Sequence, residues 1–125
     1  MDIANAFLEH LGTRLVAWET GFCRLELDIE PRHLNRQSSL QGGVTATLLD
    51  AACGYAGLIT DADGQPVNAL TLMLSISYHA RAQEGLLIAE GRVTGGGRRI
   101  YFASAELRTA DGRLVATAQG TFKRS

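Results

Sequence analysis

The sequence has few cysteines, no excess of charge of either sign and no long apolar run, and each absence excludes a class of protein. Its two cysteines, Cys23 and Cys53, show no CxxC spacing, so we predict neither a disulfide framework nor a zinc or other metal site. Both thiols are expected to be free and buried. The formal net charge of -1 and the pI of about 6.3 give no overall attraction to nucleic acid or to an anionic membrane surface.

No segment of the sequence predicts secretion or membrane insertion. The N-terminus, MDIANAFLEHLG, has no basic start followed by a continuous apolar segment, so a cytoplasmic location is expected. The most apolar stretch, Val44 to Ile59, is interrupted by threonine, aspartate and glycine and is too short to span a bilayer. We therefore expect a buried helix there. The length of 125 residues suits one core, so a single domain over residues 1–125 is predicted.

The spacing of apolar residues divides the rest of the chain into short elements. Residues 2–11 have helical spacing and precede Gly12, which predicts a short amphipathic helix that packs as a lid or flank. Residues 14–30 alternate between apolar and polar, which predicts a hairpin with its turn at Thr20-Gly21. A turn cluster at 61–66 is followed by strand patterns over residues 67–80, 85–94, 98–109 and 113–123.

Two glycine turns separate the last three strands. Gly95-Gly96-Gly97 ends one strand, and Asp111-Gly112 is a signal for a two-residue hairpin, so these strands should form an antiparallel meander. The order of elements predicts an α+β fold in which one long central helix is wrapped by a curved antiparallel sheet. Because the edge strands of such a sheet carry unpaired backbone groups, we predict that a second copy covers them in an oligomer.

The central helix raises the main question, because it carries a carboxylate. One stripe of the helical wheel should be covered by the sheet and consists of Val44, Leu48, Ala52, Tyr55 and Ile59. The opposite stripe is small or polar and consists of Gly43, Thr47, Asp50, Gly54 and Gly57. From the residues alone two interpretations stay open. Another element packs closely here while Asp50 caps a backbone group or pairs with an arginine, or a ligand lies along this face with Asp50 at its reactive atom.

The loop before the helix favours the ligand. Gln41, Gly42 and Gly43 open the helix, so free backbone N–H groups and the positive end of the helix dipole point outward and could polarise a carbonyl oxygen. Asp50 follows in the same helix, is ordinarily ionised at neutral pH and could act as general base or as nucleophile. Amide donors and a carboxylate together indicate an acyl-transfer site.

The combined pattern resembles the hotdog-fold thioesterases of the phenylacetic-acid-degradation (PaaI) type. The motif is carried by His33-Leu34-Asn35, Gln41-Gly42-Gly43 and Asp50, and the order of elements agrees over essentially the full chain. The resemblance implies an acyl-CoA thioesterase in which Asp50 is the catalytic carboxylate, the Gly42 amide polarises the thioester carbonyl and Asn35 lines the site. It also implies homodimers, often paired into tetramers, with each site between two subunits. Coenzyme A would be part of the substrate, so no separate cofactor is expected.

Two positions depart from the family pattern. Gln41 stands where histidine is usual; it can donate a hydrogen bond but cannot carry charge. Gly54, one turn after the acid, stands where a hydroxyl residue is frequent. Gly43 and Gly54 are expected to contact the substrate. The departures leave an alternative function open, a non-catalytic protein of the same fold that binds acyl-CoA or another small ligand.

Further candidates for substrate binding come from the strands. Thr71 either holds the attacking water, as a hydroxyl residue does in some relatives, or is a plain strand residue that faces solvent. Arg98 and Arg99 follow the triple glycine and Arg81 follows the long strand; each either holds a phosphate of coenzyme A or is solvated. His33 is expected to anchor its loop rather than to catalyse. The acyl group is left open.

Overall fold

The computed structural model describes residues 4–60 and 64–125. Within these ranges the chain forms two α-helices, α1 (Ala6–Leu11) and α2 (Gly42–Ala56), and a short 3-10 turn at Pro31–His33. No helix of this part is long and apolar enough to cross a membrane. The strands are β1 (Arg14–Glu19), β2 (Phe22–Asp28), β3 (Ala69–Tyr78), β4 (Leu86–Gly96), β5 (Ile100–Thr109) and β6 (Leu114–Arg124).

The six described strands form one antiparallel sheet in the order β1-β2-β4-β5-β6-β3. The predicted meander of the last three strands is confirmed, because β4, β5 and β6 are neighbours. The strand that follows α2 in the chain, β3, lies at the far edge and pairs with β6. The sheet wraps α2 on one face, so the predicted α+β hotdog arrangement is confirmed.

The core lies between α2 and the sheet. A Cβ atom on Gly91 of β4 would lie 2.1 Å from the carbonyl oxygen of Ala52, so helix and strand approach each other there through backbone alone. Buried leucines of both layers and the stacked rings of Tyr101 and Phe122, 5.3 Å apart, fill the space around this contact. Because each fully buried leucine-sized side chain contributes about 1.5–3 kcal/mol, this interior is the main source of stability.

The first helix is shorter than its spacing predicted. The Asn5 side-chain oxygen accepts a hydrogen bond from the N–H of Leu8 at 3.1 Å, and this N-cap makes the helix begin at Ala6 rather than at Asp2. Gly12 ends it in the left-handed conformation, with φ 86°, as is common after a helix. The beginning of the predicted segment, residues 1–3, lies outside the described residues, as do residues 61–63 of the predicted turn cluster.

The hairpin between β1 and β2 is confirmed, with Gly21 in its turn at φ 79°. The reversal between β5 and β6 is also present, but its loop is longer than predicted. The Thr109 N–H bonds to the Arg113 carbonyl and encloses three residues, the third of which, Gly112, has φ 92°. A left-handed glycine at this position is typical of three-residue hairpins.

The triple glycine does not end β4 where the sequence predicted. Gly95 and Gly96 still pair with Phe102 and Tyr101 of β5, after an irregularity in the register between Val93 and Gly95. The extra residue allows the strand to continue, so the chain reverses only beyond Gly96.

The second helix ends before the predicted limit of Ile59. Ala56 is its last residue and Gly57 is the C-cap. The stripe predicted to face the sheet is confirmed for its buried members Val44, Leu48 and Ala52. Gly57 is a correction, because it was assigned to the ligand-facing stripe but is buried, and a Cβ atom there would lie 2.2 Å from the Tyr101 ring. Helical spacing no longer places residues once the helix has ended.

The prediction for the cysteines is confirmed, since Cys23 and Cys53 are free and buried. Burial raises the pKa of each thiol to about 12, with smaller contributions from the charge of Cys53 at Cys23 and of Asp50 at Cys53. A thiol that stays protonated at neutral pH is a poor nucleophile, so neither cysteine is a candidate nucleophile.

Candidate active site

Asp50 faces the edge strand β3 and is held there by Thr71. The Thr71 hydroxyl Oγ1 donates a hydrogen bond to Asp50 Oδ1 at 2.8 Å. Thr71 pairs with the buried Phe122 of β6, so both side chains lie on the face of the sheet that carries α2. None of the salt bridges between described residues involves Asp50. Thr71 is exposed, but its hydroxyl is bonded to the acid, and arginine pairing does not explain the acid.

A cleft of about 600 Å³ opens beside Asp50, between α1, α2 and β3. Its floor is formed by small residues of α2, namely Ala46, Ala51 and Gly54. Its walls are mainly apolar and include Phe7, Leu8, Tyr55, Leu58, Leu74 and Phe122. An apolar cleft with one carboxylate at its side suits an apolar group whose reactive carbon lies next to that carboxylate.

One side of this cleft is lined by α1 and by Asn5, which precedes it. The Asn5 amide donates a hydrogen bond to the Tyr55 hydroxyl at 2.8 Å, which ties the start of α1 to α2. Trp18 of β1 supports Tyr55 from the other side, through stacked rings 5.4 Å apart and an indole N–H bond to the Tyr55 carbonyl. The predicted role of the first helix as a flank of the central helix is confirmed.

The start of α2 offers backbone amides rather than a side chain. Gln41 is the N-cap residue, but its side chain is exposed and makes no capping bond. The N–H groups of Gly42 and Gly43 have no acceptor in the described part of the chain. With the positive end of the helix dipole behind them, both N–H groups are free to bind a carbonyl or anionic oxygen.

Gly42 and Asp50 of one chain do not meet at one cleft. Eight residues of helix separate them, which is about 12 Å along the axis. Asp50 lines the cleft between α1, α2 and β3, and Gly42 does not. Since a thioester carbonyl must lie within hydrogen-bond distance of the amide and close to the acid, the two groups of one chain cannot act on the same carbonyl.

Tyr78, at the end of β3, is a contact that sequence reasoning missed. Its hydroxyl donates a hydrogen bond to the carbonyl oxygen of Gly42 at 2.8 Å. The ring covers this glycine, with the hydroxyl 3.5 Å from the position of a Cβ atom. The only signal in the sequence is an aromatic residue near the end of a strand pattern, which is too common to predict such a contact.

Asn35 and Arg81 lie together at a second cleft of about 400 Å³, which Tyr78 also lines. The Asn35 side-chain oxygen accepts hydrogen bonds from the N–H groups of Gln37 and Ser39. Arg81 donates to the Ser39 hydroxyl at 2.7 Å and to the Gln37 carbonyl at 3.3 Å. Both residues therefore shape the loop before α2, on the side of the molecule where the Gly42 and Gly43 amides lie.

His33 anchors the same loop, as predicted. Its side chain is fully buried. The ring nitrogen Nδ1 accepts a hydrogen bond from the Glu30 N–H at 2.9 Å, which leaves the proton on Nε2 to be donated to the Leu11 carbonyl at 2.8 Å. With both nitrogens occupied, the histidine fixes the loop between β2 and α2.

Arg98 and Arg99 lie apart from both regions. They line a third cleft, of about 680 Å³, beside Gly57 and the end of α2. Both residues are exposed, and their side chains form no salt bridge with a described residue. The neighbouring Arg124 is different, because its guanidinium binds the carbonyls of Gly57, Gly97 and Arg98.

The outer edge of β3 is open and apolar. In the described part of the chain β3 pairs with β6 alone, so the backbone groups of its other edge have no strand partner. Its large side chains are strongly exposed, with Leu70 at 63%, Leu72 at 54% and Met73 at 47%. An apolar edge strand with free backbone groups is the kind of surface that pairs with another strand.

Comparisons with known proteins agree on one family. Residues 37–116 match the family profile described as the thioesterase superfamily. Human acyl-coenzyme A thioesterase 13 is 32% identical over 124 residues, which covers 97% of this chain and 86% of that protein.

Solved structures give the same result for the fold. A conserved protein of Pseudomonas aeruginosa superposes with a TM-score of 0.88 at 29% identity, covering 98% of this chain and 96% of that chain. The PaaI protein of the Escherichia coli phenylacetic acid degradation operon superposes with a TM-score of 0.86 at 22% identity, covering 98% of this chain and 86% of that chain. The second likeness shows the fold alone.

Proposed function

From the premise that the chain belongs to the thioesterase superfamily and is a thioester hydrolase, we propose that it hydrolyses acyl-CoA thioesters at a site shared by two subunits. The observation that carries the proposal is the Asp50 carboxylate, which is held by Thr71 beside an apolar cleft and is free of salt bridges with described residues. In this site the acyl group would occupy the cleft and its carbonyl carbon would face the acid.

The shared site follows from where β3 contacts α2. Near its beginning, Thr71 bonds to Asp50; at its end, Tyr78 bonds to Gly42. When two copies of the open edge pair in antiparallel orientation about a twofold axis, the beginning of one strand lies beside the end of the other. Asp50 would then lie near the start of α2 in the partner subunit, so the missing amide donor would be supplied by Gly42 of the partner subunit.

The chemistry at such a site is acyl transfer to water. The Thr71 hydroxyl occupies Asp50 Oδ1, which leaves Oδ2 free to take a proton from water as that water attacks the thioester carbonyl. The developing oxyanion would be stabilised by the amide of the partner's Gly42. Collapse of the tetrahedral intermediate breaks the C–S bond and releases the thiolate of coenzyme A and the free acid.

Direct attack by Asp50 is the alternative route. The carboxylate oxygen would displace the thiolate and form a mixed anhydride, which water then cleaves. Single-turnover hydrolysis in ¹⁸O-labelled water distinguishes the two routes, because cleavage of the anhydride can leave label in the Asp50 side chain, whereas general-base catalysis places the label only in the released acid.

The arginines are the proposed contacts for the phosphates of coenzyme A. Arg98 and Arg99 are exposed and form no salt bridge with a described residue, so they can bind a phosphate without losing an internal ion pair. Arg81 is already bonded to the Ser39 hydroxyl and the Gln37 carbonyl. We therefore expect Arg98 and Arg99 to contribute more to substrate affinity than Arg81.

The experiment for this function combines two variants, one of which removes the Asp50 carboxylate and the other the Gly42 amide hydrogen. Asp50→Asn removes the carboxylate and should lower kcat by about 10²- to 10⁴-fold. Gly42→Pro removes one amide hydrogen at the first position of the helix, where proline is tolerated. Gln41 already has φ -62° and ψ 133°, the region preferred before proline. Gly42→Ala keeps the amide and is the matched control.

Mixing the two inactive variants tests the shared site. After unfolding and refolding together, half of the dimers contain one subunit of each kind, and each mixed dimer has one intact site, so about one quarter of the wild-type activity should return. No recovery from a refolded, dimeric mixture would show that the acid and the amide act within one chain. Wild-type protein that binds acyl-CoA esters without turnover would contradict the proposed enzyme.

A further inference from the structure

We propose that Tyr78 is a positioning residue, which fixes the glycine peptides at the start of α2 so that their N–H groups meet the substrate oxygen. The inference rests on the proposed function and adds to it a residue that acts through the backbone of Gly42 and Gly43. Three observations carry it: the two consecutive glycines that begin α2, the bond that Tyr78 makes to the first of them, and the place of Tyr78 in the strand.

The start of α2 has little steric restriction of its backbone, because its first two residues are both glycines. Glycine reaches more backbone conformations than any other residue, and the first N–H groups of a helix have no acceptor within the helix. A Cβ atom on Gly43 would have no neighbour within 4 Å, whereas one on Gly42 would contact the Tyr78 ring and hydroxyl. Tyr78 therefore packs on Gly42, whereas the Thr47 hydroxyl donates a hydrogen bond to the Gly43 carbonyl at 2.8 Å.

The hydrogen bond from Tyr78 helps to fix the direction of an amide at the start of α2. Because a peptide unit is planar, the Tyr78 bond to the Gly42 carbonyl at 2.8 Å also orients the N–H of Gly43. The preceding peptide is held separately, by the bond from the Val44 N–H to the Gln41 carbonyl at 3.0 Å, which orients the N–H of Gly42. Both free amide hydrogens are thereby fixed, and a developing oxyanion gains most from donors that need no rearrangement.

The place of Tyr78 makes it suited to this role rather than to core packing. The residue is 57% exposed and is not part of the core cluster. It ends β3, the strand whose beginning holds Asp50 through Thr71. In the paired dimer, one strand would fix the carboxylate of its own subunit and the amides that serve the partner, which keeps the two halves of each site in register.

The test is Tyr78→Phe, which removes the hydroxyl and keeps the ring. We expect kcat to fall about tenfold, as for the loss of one hydrogen bond, while KM, the dimer mass and Tm stay at wild-type values. The affinity for a thioether analogue of acyl-CoA, which has no carbonyl oxygen to be polarised, should also be unchanged. Ser77→Ala removes a hydroxyl from the preceding position of the same strand and is the matched control, with kcat expected to remain at the wild-type value.

Three results would overturn the proposal. The first is a wild-type kcat in Tyr78→Phe, and the second is a loss of kcat in Ser77→Ala equal to that in Tyr78→Phe. The third is a loss of kcat in Tyr78→Phe accompanied by a changed KM or dimer mass, which would mean that Tyr78 acts in binding or assembly. The same assay includes wild type and Asp50→Asn. Absence of turnover in wild type contradicts the proposed function itself, whereas normal turnover in Tyr78→Phe contradicts only the role of Tyr78.

Discussion

Thr71 and Asp50 are joined by a 2.8 Å hydrogen bond that spans the gap between the edge strand and the central helix. The bond engages one carboxylate oxygen and sets the rotation of the other. In the proposed mechanism, a carboxylate that rotates freely would present its second oxygen to the attacking water only part of the time, so the threonine would contribute to catalysis through geometry.

The first prediction concerns this bond. Thr71→Val keeps the shape of the side chain and removes the donor, and we expect kcat to fall about 10- to 100-fold, as for a hydrogen bond to a charged group. Thr71→Ser restores the hydroxyl and should retain most of the activity. Thr121→Val, on the neighbouring strand, is the control for loss of a strand hydroxyl. Equal activity of the valine and serine variants at position 71 would contradict the prediction.

The second prediction concerns assembly through β3. Met73→Glu places a charge beside its twofold mate on the open edge, so the dimer should dissociate and the activity should be lost with it. Val16→Glu is the matched control, since Val16 is 43% exposed on β1, the other edge strand. Light scattering after size exclusion gives the mass of each variant. If Val16→Glu is monomeric and Met73→Glu remains dimeric, the interface lies on β1 and not on β3, which would contradict the prediction.

The third prediction compares two glycines near the end of the helix. Gly54→Ala adds a methyl group 3.5 Å from the Phe122 ring, an ordinary contact, and should raise the free energy of unfolding by about 0.5–1 kcal/mol through helix propensity. Gly57→Ala would place the methyl group 2.2 Å from the Tyr101 ring and should lower it by about 1–3 kcal/mol through overpacking. Urea unfolding of both variants measures the difference.

Gly54→Ala should also narrow the cleft beside Asp50, of which Gly54 is part of the floor. We expect KM to rise for bulky acyl groups and to change little for short ones. A uniform change of KM across chain lengths would show that acyl groups do not pass this position.

The fourth prediction concerns the buried thiols. Burial raises the pKa of Cys23 and Cys53 to about 12, against an ordinary value of 9.0, so the neutral thiols favour the folded state. This contribution is fully present below pH 9 and is lost as the pH rises toward 12, because the unfolded chain gives up these protons first. The free energy of unfolding should therefore fall between pH 8 and pH 10.5.

A double variant, Cys23→Ala with Cys53→Ala, tests the assignment. It should lose less stability over the same pH interval than wild type, although its stability at pH 8 is lower because of the cavities. Disulfide exchange with a chromogenic reagent should label wild type only after unfolding. Rapid labelling of the folded protein would contradict the buried thiols.

Local patterns predicted the elements well, because alternation and helical spacing record which side chains are buried. The alternation of residues 22–28 predicted β2, and the apolar stripe of Val44, Leu48 and Ala52 predicted the buried face of α2. The limits of the elements depended on tertiary contacts, such as Gly57 against Tyr101, and these have no local signal. The place of β3 at the far edge is equally a matter of long-range pairing.

The candidate site could be predicted where it depends on local sequence and not where it depends on long-range contacts. Gln41 is the N-cap of α2, and Gly42, Gly43 and Asp50 lie within that helix, so spacing gave their relative positions. Thr71 and Tyr78 are seven residues apart, and strict alternation would place them on opposite faces of a strand. The register irregularity between Thr71 and Met73 brings both to the helix side, and a bulge of this kind cannot be read from the sequence.

Gly91 has no Cβ atom, and this has a consequence for the shape of the molecule. Because main chain meets main chain at Gly91 and Ala52, the helix is seated on β4, three places from β3 in the order of the sheet. From that position the helix lies closer to the middle of the sheet than to the outermost strand, and the cleft beside Asp50 lies between the helix and that strand. In the proposed enzyme, the absence of one methyl group on β4 would thereby help to leave space for an acyl group beside β3.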